Sequence, residues 1–365
     1  MDFQLSDDQR ALRSGMRDLL GAVFDRDRLR AALERDGALD RSLWRELGAA
    51  GFFALRLPEE AGGVGLGLPE AVLLFEEAGR ALLPGPLVAT HLAAGLVKGA
   101  AEGEAVVTAV AGDLPVAHLA EADAVLVAGA EPLTGEPLAG EALRAFVAAA
   151  RPVRSMDPLT PLHRAPAVSV RTRADAERAP AVSVRTPADA ERAPAATERT
   201  PAHAGRFRFE AALLTAAEQL GSAARTTEVA VQHAGDREQF GSPLGAFQAV
   251  KHLCADMLAR TEPARAAVYA AAVTGDPVEI AAAKLLADEA AVRNARDCLQ
   301  IHGGMGFTWE ADVHLHLKRA WLRAASWLTG AGAEELLAAD LGAAGRLPRS
   351  SAAPGRPVPE AGGGG

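Results

Sequence analysis

Apolar residues along this chain recur mostly three and four positions apart, the spacing of helices with one buried face. Leu12, Met16, Leu19 and Val23 share such a face, and Ser6 with Gln9 forms a capping box ahead of them, so the chain is expected to start with an amphipathic helix. Asp40 is placed to cap a second helix carrying Leu43, Trp44 and Leu47 and stopped at Gly51. A loop crowded with Gly62, Gly63, Gly65 and Gly67 follows. Pro69 then opens a helix expected to carry Val72, Leu73, Phe75, Leu82 and Leu83. With the apolar stretch 87–97, this gives an N-terminal helical domain over residues 1–104.

From residue 105 the period shortens. The runs 105–110, 124–128 and 145–147 alternate with Gly, Pro and acidic turns and read as strands. A repeat follows: the eight residues from Ala165 to Thr172 recur from Ala179 to Thr186, and decayed from Ala193, a period of fourteen. So short a unit is no solenoid, and its Pro, Ala, Arg and Glu content has little to bury. Residues 164–204 therefore read as a low-complexity loop; the alternative makes 168–170 and 182–184 two short edge strands. The whole of 105–205 is a reduced β domain.

Helical spacing returns at residue 206. Leu213, Leu214, Leu220, Ala224, Thr227 and Val231 share one helix face over about 207–233, and Phe247, Val250, Cys254 and Met257 another over 246–273, with Pro263 expected to kink it. Gly275 stops that helix and Asp276-Pro277 starts a third, with Ile280, Ala283, Ala287 and Val292 leading to Leu299. Val313, Leu315, Leu317, Trp321, Leu322 and Leu328 make a fourth, and residues 334–341 a short last one. The fold class is thus mainly α with a reduced middle β region: an N-terminal helical domain, a short β domain, a C-terminal four-helix bundle at 206–345 and a Pro/Gly tail at 346–365, expected to be disordered.

Charge and composition narrow the functions. The net charge is −9 and no block of Lys or Arg occurs, which argues against a nucleic-acid surface. No apolar run approaches a bilayer span, and the acidic N-terminus lacks the basic and apolar regions of a signal peptide, so a soluble cytoplasmic protein is expected. Aromatics make up only 4% of the chain, a composition that favours helices over sheets. Cys254 and Cys298 fall on helical stripes and read as buried small hydrophobes. Gly63, Gly65 and Gly67 follow no strand and lack the third glycine of a dinucleotide fingerprint, so they read as a connector. His314 and His316, two apart on a helix, face different sides and make no metal site.

The candidate chemistry lies in the bend between the first two bundle helices, residues 236–252, where the two helices must run antiparallel. Its Arg237, Gln239, Phe240, Phe247 and Gln248 suit a phosphate and an aromatic heterocycle. A solvated loop with a salt-bridging Arg237 is the plainer reading. The run Arg237-Glu238-Gln239-Phe240-Gly241, continuing Pro243-Leu244-Gly245, Phe247-Gln248-Ala249-Val250-Lys251-His252 and Ala255-Asp256-Met257, resembles the turn and following helix of the C-terminal bundle in acyl-CoA dehydrogenases. A second block, residues 298–310 with Gln300-Ile301-His302-Gly303-Gly304, and a third at 57–65 are similar to the same family.

That resemblance implies FAD as cofactor, an acyl-CoA substrate, a carboxylate base that takes the α-proton, and a flavin that takes hydride from the β-carbon. In the family, one subunit's FAD is held partly by the next subunit's bundle. The matching positions here are Arg237, Gln239, Phe240, Leu244, Phe247, Gln248, Gln300, Gly303 and Gly304. The departures matter equally. Residues 105–205 contain neither the family's Thr-Glu-Pro-x-Ala-Gly-Ser-type strand nor any tryptophan, so the flavin ring's seat is missing. Where many members carry the base in a Tyr-Glu-Gly-Thr segment, this chain reads Ala324-Ala325-Ser326-Trp327-Leu328-Thr329-Gly330. Members with the base on the first bundle helix place it near Glu210 or Ala211. The frame points to Ala211, so Glu210 is a base only by a one-residue shift and is equally a helix-start acid; Glu218 is a further candidate.

The implied function is an accessory subunit of a heteromeric, steroid-side-chain-type acyl-CoA dehydrogenase, contributing half an FAD site in an α2β2 assembly with a second acyl-CoA dehydrogenase-like subunit. The alternatives are a self-sufficient homomeric dehydrogenase with Glu210 as base, and a non-enzymatic helical scaffold with a relic flavin half-site.

Overall fold

The Ser6 hydroxyl accepts from the Gln9 N–H, and the Gln9 side chain accepts from the Ser6 N–H, both at 3.1 Å; this closed box opens α1 (Asp7–Val23). The computed structural model describes residues 4–112, 114–128, 137–166, 168–170, 182–184 and 204–343. In it a helix follows that the spacing does not announce, α2 (Arg26–Glu34), capped by Asp25 but burying only Leu29 and Ala32. Asp40 caps α3 (Arg41–Ala49), which buries Leu43, Trp44 and Leu47. Every residue of α4 (Leu68–Arg80) from Ala71 to Gly79 is buried, so this helix is a core element rather than a surface one. Leu82 and Leu83, expected to continue it, lie past its end: Leu82 turns the chain at φ 56°, and Leu83 precedes Pro84, which disfavours helical backbone. α5 (Leu87–Ala93) completes this region.

Among the described residues, the middle region holds two three-stranded sheets and one two-stranded pair. β1 (Val107–Ala111) pairs in parallel with β3 (Ala124–Ala128), which pairs antiparallel with β4 (Leu138–Ala139). In the other, β6 (Leu162–Arg164) lies between β2 (Val116–Ala117) and β5 (Arg151–Val153). The strand expected at 145–147 is instead part of α6 (Gly140–Ala149). Its Leu143 and Phe146, three apart, share a buried face and join a core with Val125 and Leu138. A three-residue apolar run fits either period; the packing decided. β7 (Val168–Val170) and β8 (Val182–Val184) pair antiparallel with Ser169 opposite Ser183, so the edge-strand alternative is the arrangement found there. Most of the remaining repeat, and the 346–365 tail, lie outside the described residues.

The C-terminal part is α7 (Ala204–Asp236), α8 (Gln248–Thr274), α9 (Pro277–His302), α10 (Val313–Ala324) and α11 (Gly330–Ala343). α8 continues past Pro263 to Gly275, whose φ of 65° ends it. α10 stops at Ala324, so Leu328 belongs to the next turn, not to the helix.

Two devices fix this assembly. The first is close backbone approach between α4 and α7: a Cβ at Gly79 would stand 1.9 Å from the Glu218 carbonyl oxygen, and one at Gly221 would stand 1.8 Å from that of Glu76. The second is a buried polar tie. The Asn294 amide on α9 donates to Thr261 Oγ1 at 2.9 Å, Met257 O at 2.9 Å and Thr227 Oγ1 at 3.1 Å, while its oxygen accepts from Arg260 Nε at 2.9 Å. One side chain thereby joins α7, α8 and α9.

Candidate functional site

The bend between α7 and α8 is a miniature β-hairpin. β9 (Glu238–Gln239) pairs antiparallel with β10 (Ser242–Pro243), and the turn residues Phe240 and Gly241 have φ of 52° and 77°. Positive φ at both central positions is the type I′ pattern, which ordinarily selects Asn-Gly. A phenylalanine there is strained, at a cost of order 1 kcal/mol. It is also 92% exposed, touching Phe247 edge-on at 6.2 Å. The tip is otherwise well held: the Arg237 N–H donates to His233 O at 2.9 Å and the Leu244 N–H to Arg237 O at 2.8 Å.

Around this tip Arg237, Gln239 and Gln248 are exposed. The Arg237 guanidinium has no acceptor among the described residues, and the Gln248 amide meets His252 Nε2 at 2.9 Å. Leu244 differs from its neighbours: it turns inward against a cluster that includes Leu299 and Ile301, and so anchors the tip.

That cluster brings the second motif to the same end of the bundle. Gln300 is exposed on the last turn of α9, and His302 stacks on His233 of α7 with ring centroids 4.0 Å apart and planes at 18°. Burial, then the charges of His302 and Arg237, hold His233 below the ordinary histidine range. Gly303 has φ 60° and ψ −142°, a backbone only glycine takes easily. Gly304 is different: a Cβ there would meet nothing within 4 Å, so the fold of this chain does not itself require it to be bare.

A second feature lies beside the middle of α7, a cavity of about 170 Å3 between α5, β1, β2, β6, α7 and α10. Leu87, Thr108, Leu162 and Thr215 line it, together with Glu218, Arg319, Arg323 and Trp327. Arg319 is paired with Asp157, and Arg323 Nη2 donates to Glu218 at 2.7 Å. Burial would lift the Asp157 carboxyl, but the Arg319 charge and hydrogen bonds from Thr160 and the Leu159 N–H outweigh it and hold the group below its usual range. For Glu218 burial wins over Arg323 and Arg319, and its carboxyl is pushed up. Burial likewise brings the Arg323 guanidinium down to about 10. Sequence reasoning missed Arg319 and Arg323; two arginines four apart among the apolar residues of α10 are the signal that could have found them.

Glu210 is placed elsewhere. Its two oxygens accept from Arg56 Nη1 at 2.8 Å and Arg206 Nε at 2.9 Å, and it is not among the residues lining the cavity. Burial would raise its carboxyl, but the hydrogen bond and charge of Arg56, reinforced by Arg206, hold it below the usual range. Ala211 is fully buried. Trp327, in the segment where many family members carry the glutamate, borders the cavity with φ 62°, its carbonyl accepting from Arg208 Nε at 2.5 Å. His314 packs edge-on to Trp309 at 5.0 Å and His316 Nδ1 meets Ser222 Oγ at 2.8 Å, two different surroundings as their spacing requires.

Residues 6–102 match the acyl-CoA dehydrogenase N-terminal domain and residues 205–345 the acyl-CoA dehydrogenase C-terminal domain. The chain belongs to the acyl-CoA dehydrogenase family. It is 34% identical to acyl-CoA dehydrogenase IpdE2 of Mycobacterium tuberculosis over 80% of this chain and 84% of that one. It is also 34% identical to acyl-CoA dehydrogenase FadE34 of the same organism, over 86% of this chain and 46% of that one. Among solved structures, the ChsE4-ChsE5 complex from M. tuberculosis superposes with a TM-score of 0.71 at 22% identity, covering 96% of this chain and 100% of that one, a likeness of fold. FAD is the cofactor of the acyl-CoA dehydrogenase family. The hairpin tip and the end of α9 fit part of that cofactor: an unpaired guanidinium for a pyrophosphate, exposed amides for ribose or adenine edges, and bare backbone for close approach. Among the described residues no helix is long and apolar enough to cross a membrane.

Proposed function

We propose that this chain is the accessory subunit of a heteromeric acyl-CoA dehydrogenase, and that its hairpin tip completes the FAD site of a second, catalytic subunit. The observation that carries this is Phe240: a nearly fully exposed aromatic ring held in a left-handed turn beside an arginine with no partner. Strain and exposure together are costs that a folded chain retains for a function. Arg237 would hold the pyrophosphate, Gln239, Gln248 and Gln300 the ribose and adenine edges, and Gly303 and Gly304 would leave room for the dinucleotide. Phe240 and Phe247 would cover its aromatic faces, with Leu244 anchoring the loop. Bound FAD supplies the acceptor for hydride from the β-carbon of an acyl-CoA.

The chain's own cavity supports the accessory role. At about 170 Å3 it is smaller than the roughly 300–1,000 Å3 of ordinary ligand sites, too small for a flavin ring and a thioester together. No carboxylate stands at Trp327, and Glu210 is an ion-pair anchor between Arg56 and Arg206. A bulky, steroid-type acyl group for the complex is suggested by the description of one structure alike in fold, at TM-score 0.71 and 23% identity, the Tcur3481-Tcur3483 steroid ACAD.

The test is co-expression with a second acyl-CoA dehydrogenase subunit. Arg237→Glu should strip FAD from the assembled complex, read as flavin absorbance per tetramer, while Glu210→Gln should leave turnover nearly unchanged. A yellow, active protein from this chain alone would overturn the accessory role.

A further inference from the structure

α2 buries only Leu29 and Ala32, so apolar packing explains little of where it lies. Its polar side explains more. Arg26 and Arg30 stand four residues apart, on one side of the helix, and both reach the loop that joins α9 to α10. Arg26 Nε donates to Asp312 Oδ2 at 2.8 Å and its Nη2 to the Glu310 carbonyl at 2.5 Å. Arg30 Nη1 donates to the Trp309 carbonyl, and its Nη2 to the Glu310 carbonyl at 3.1 Å and to Asp312 Oδ1. Trp309 and Glu310 offer backbone carbonyls, so the clamp fixes the path of the chain and not merely a side chain.

Asp312 gives up an ordinary local bond to make this clamp. It holds the N-cap position of α10, where an aspartate ordinarily accepts from the first N–H groups of its own helix, as Asp25, Asp40 and Asp276 do. Asp312 makes no such bond and turns both oxygens to α2. The loop has few other holds. Lys318 lies over the Trp309 ring, 4.6 Å from its centroid, but from Gly303 to Glu310 only Gly306 is buried, and Met305, Phe307 and Trp309 are exposed. Gly306 sits against the last turn of α9, where a Cβ would stand 3.1 Å from the Leu299 carbonyl oxygen. The Thr308 N–H and hydroxyl donate to Met305 O at 3.1 and 2.8 Å. Residues 303–308 are thus a tight turn with Gly303 and Gly304 at one end and the clamp just beyond the other.

We propose, on the half-site reading above, that Arg26 and Arg30 are positioning residues for FAD: they hold the α9–α10 loop so that Gly303 and Gly304 present their backbone to the dinucleotide. Their share in the stability of the fold is small, since ion pairs reached by solvent add little and Arg26 is 63% exposed. Their effect is on where a short, otherwise lightly held loop stands.

Two variants of the full chain test this. One combines Arg26→Gln with Arg30→Gln; the other is Asp312→Ser, which keeps a helix-capping residue type while removing the carboxylate that both arginines share. In the chain alone, hydrogen exchange of the peptide covering 303–312 should quicken by about tenfold, while the melting temperature shifts by no more than about 4 °C. In the complex with a second acyl-CoA dehydrogenase subunit, FAD should bind about tenfold more weakly, which is about 1.4 kcal/mol. Excess FAD should restore full occupancy, which a misfolded subunit would not allow. Either change without the other, or neither, overturns the proposal; if the double variant fails to fold, Asp312→Ser decides. Arg237→Glu keeps the two readings apart. If it strips FAD while the clamp variants bind FAD normally, the half-site stands and the clamp falls; if it leaves FAD in place, the half-site falls and the role of the clamp toward FAD falls with it.

Discussion

A side chain at Gly221 of α7 would begin 1.8 Å from the backbone carbonyl oxygen of Glu76 on α4, so these two residues set how closely the N-terminal helices lie against the bundle. Beside that crossing the Glu76 carboxylate accepts from the Tyr269 hydroxyl at 2.6 Å and pairs with Arg265 on α8. The close approach and the buried pairing are one arrangement, because helices held further apart would leave the acid short of its partners. Burial would lower the Arg265 pKa, but Glu76 and Tyr269 outweigh it and raise it.

Gly221→Ala should therefore destabilise the fold, by about 1–3 kcal/mol, as overpacking does. Gly15, mid-helix in α1, has open space where a methyl group would stand, with nothing within 4 Å, and Gly15→Ala should stabilise by about 0.5–1 kcal/mol. Denaturant titration of the two variants reads opposite signs if backbone approach is the cause.

Phe240→Gly relieves a left-handed non-glycine residue, φ 52°, without removing a buried contact. The chain alone should gain up to about 1 kcal/mol, while FAD occupancy of the assembled complex should fall. A melt on the chain and flavin absorbance on the complex separate the two effects; a variant that loses both has a structural role instead.

Asn294→Ala should cost about 2–4 kcal/mol, because it orphans groups on α7 and α8 that the amide now satisfies. The denaturation midpoint should drop with the slope unchanged.

Acid should weaken the fold through buried histidines. Burial holds His91, whose Nδ1 donates to Phe52 O at 3.1 Å, down at about 4 and His316 down at about 3. An unfolded histidine titrates near 6.5. The folded pKa is the depressed one, so this stability is complete above about pH 6.5 and is lost as pH falls toward 4 and then 3. Melting temperatures from pH 7.5 to 4.5 should decline, and His316→Asn should flatten the decline by up to about 1.4 kcal/mol per pH unit. An unchanged slope would show that His316 takes up its proton equally in both states.

Local rules made much of the architecture readable. The Ser6 box, the Asp40 and Asp276 caps and the Gly275 stop each mark a helix end within a few residues, so those ends could be placed. What failed were short or mixed signals. The apolar run at 145–147 fits a strand or a helix turn equally, and α2 buries too few residues to show a stripe. Leu82, Leu83 and Leu328 kept the helical period beyond the point where the backbone had already turned, since periodicity does not register a left-handed residue such as Leu82 or Trp327.

The sequence by itself determined the family, the long bundle helices and the bend residues, because capping, periodicity and a specific motif each act over a few neighbouring positions. Only the tertiary structure decided which distant residues meet: His233 with His302 at the hairpin end, and Glu218 with Arg323 and Asp157 with Arg319 beside the inner cavity. It also decided what the acids do. A carboxylate's protonation depends on burial and on charges brought from far along the chain, so Glu210 and Glu218, eight residues apart on one helix, shift in opposite directions.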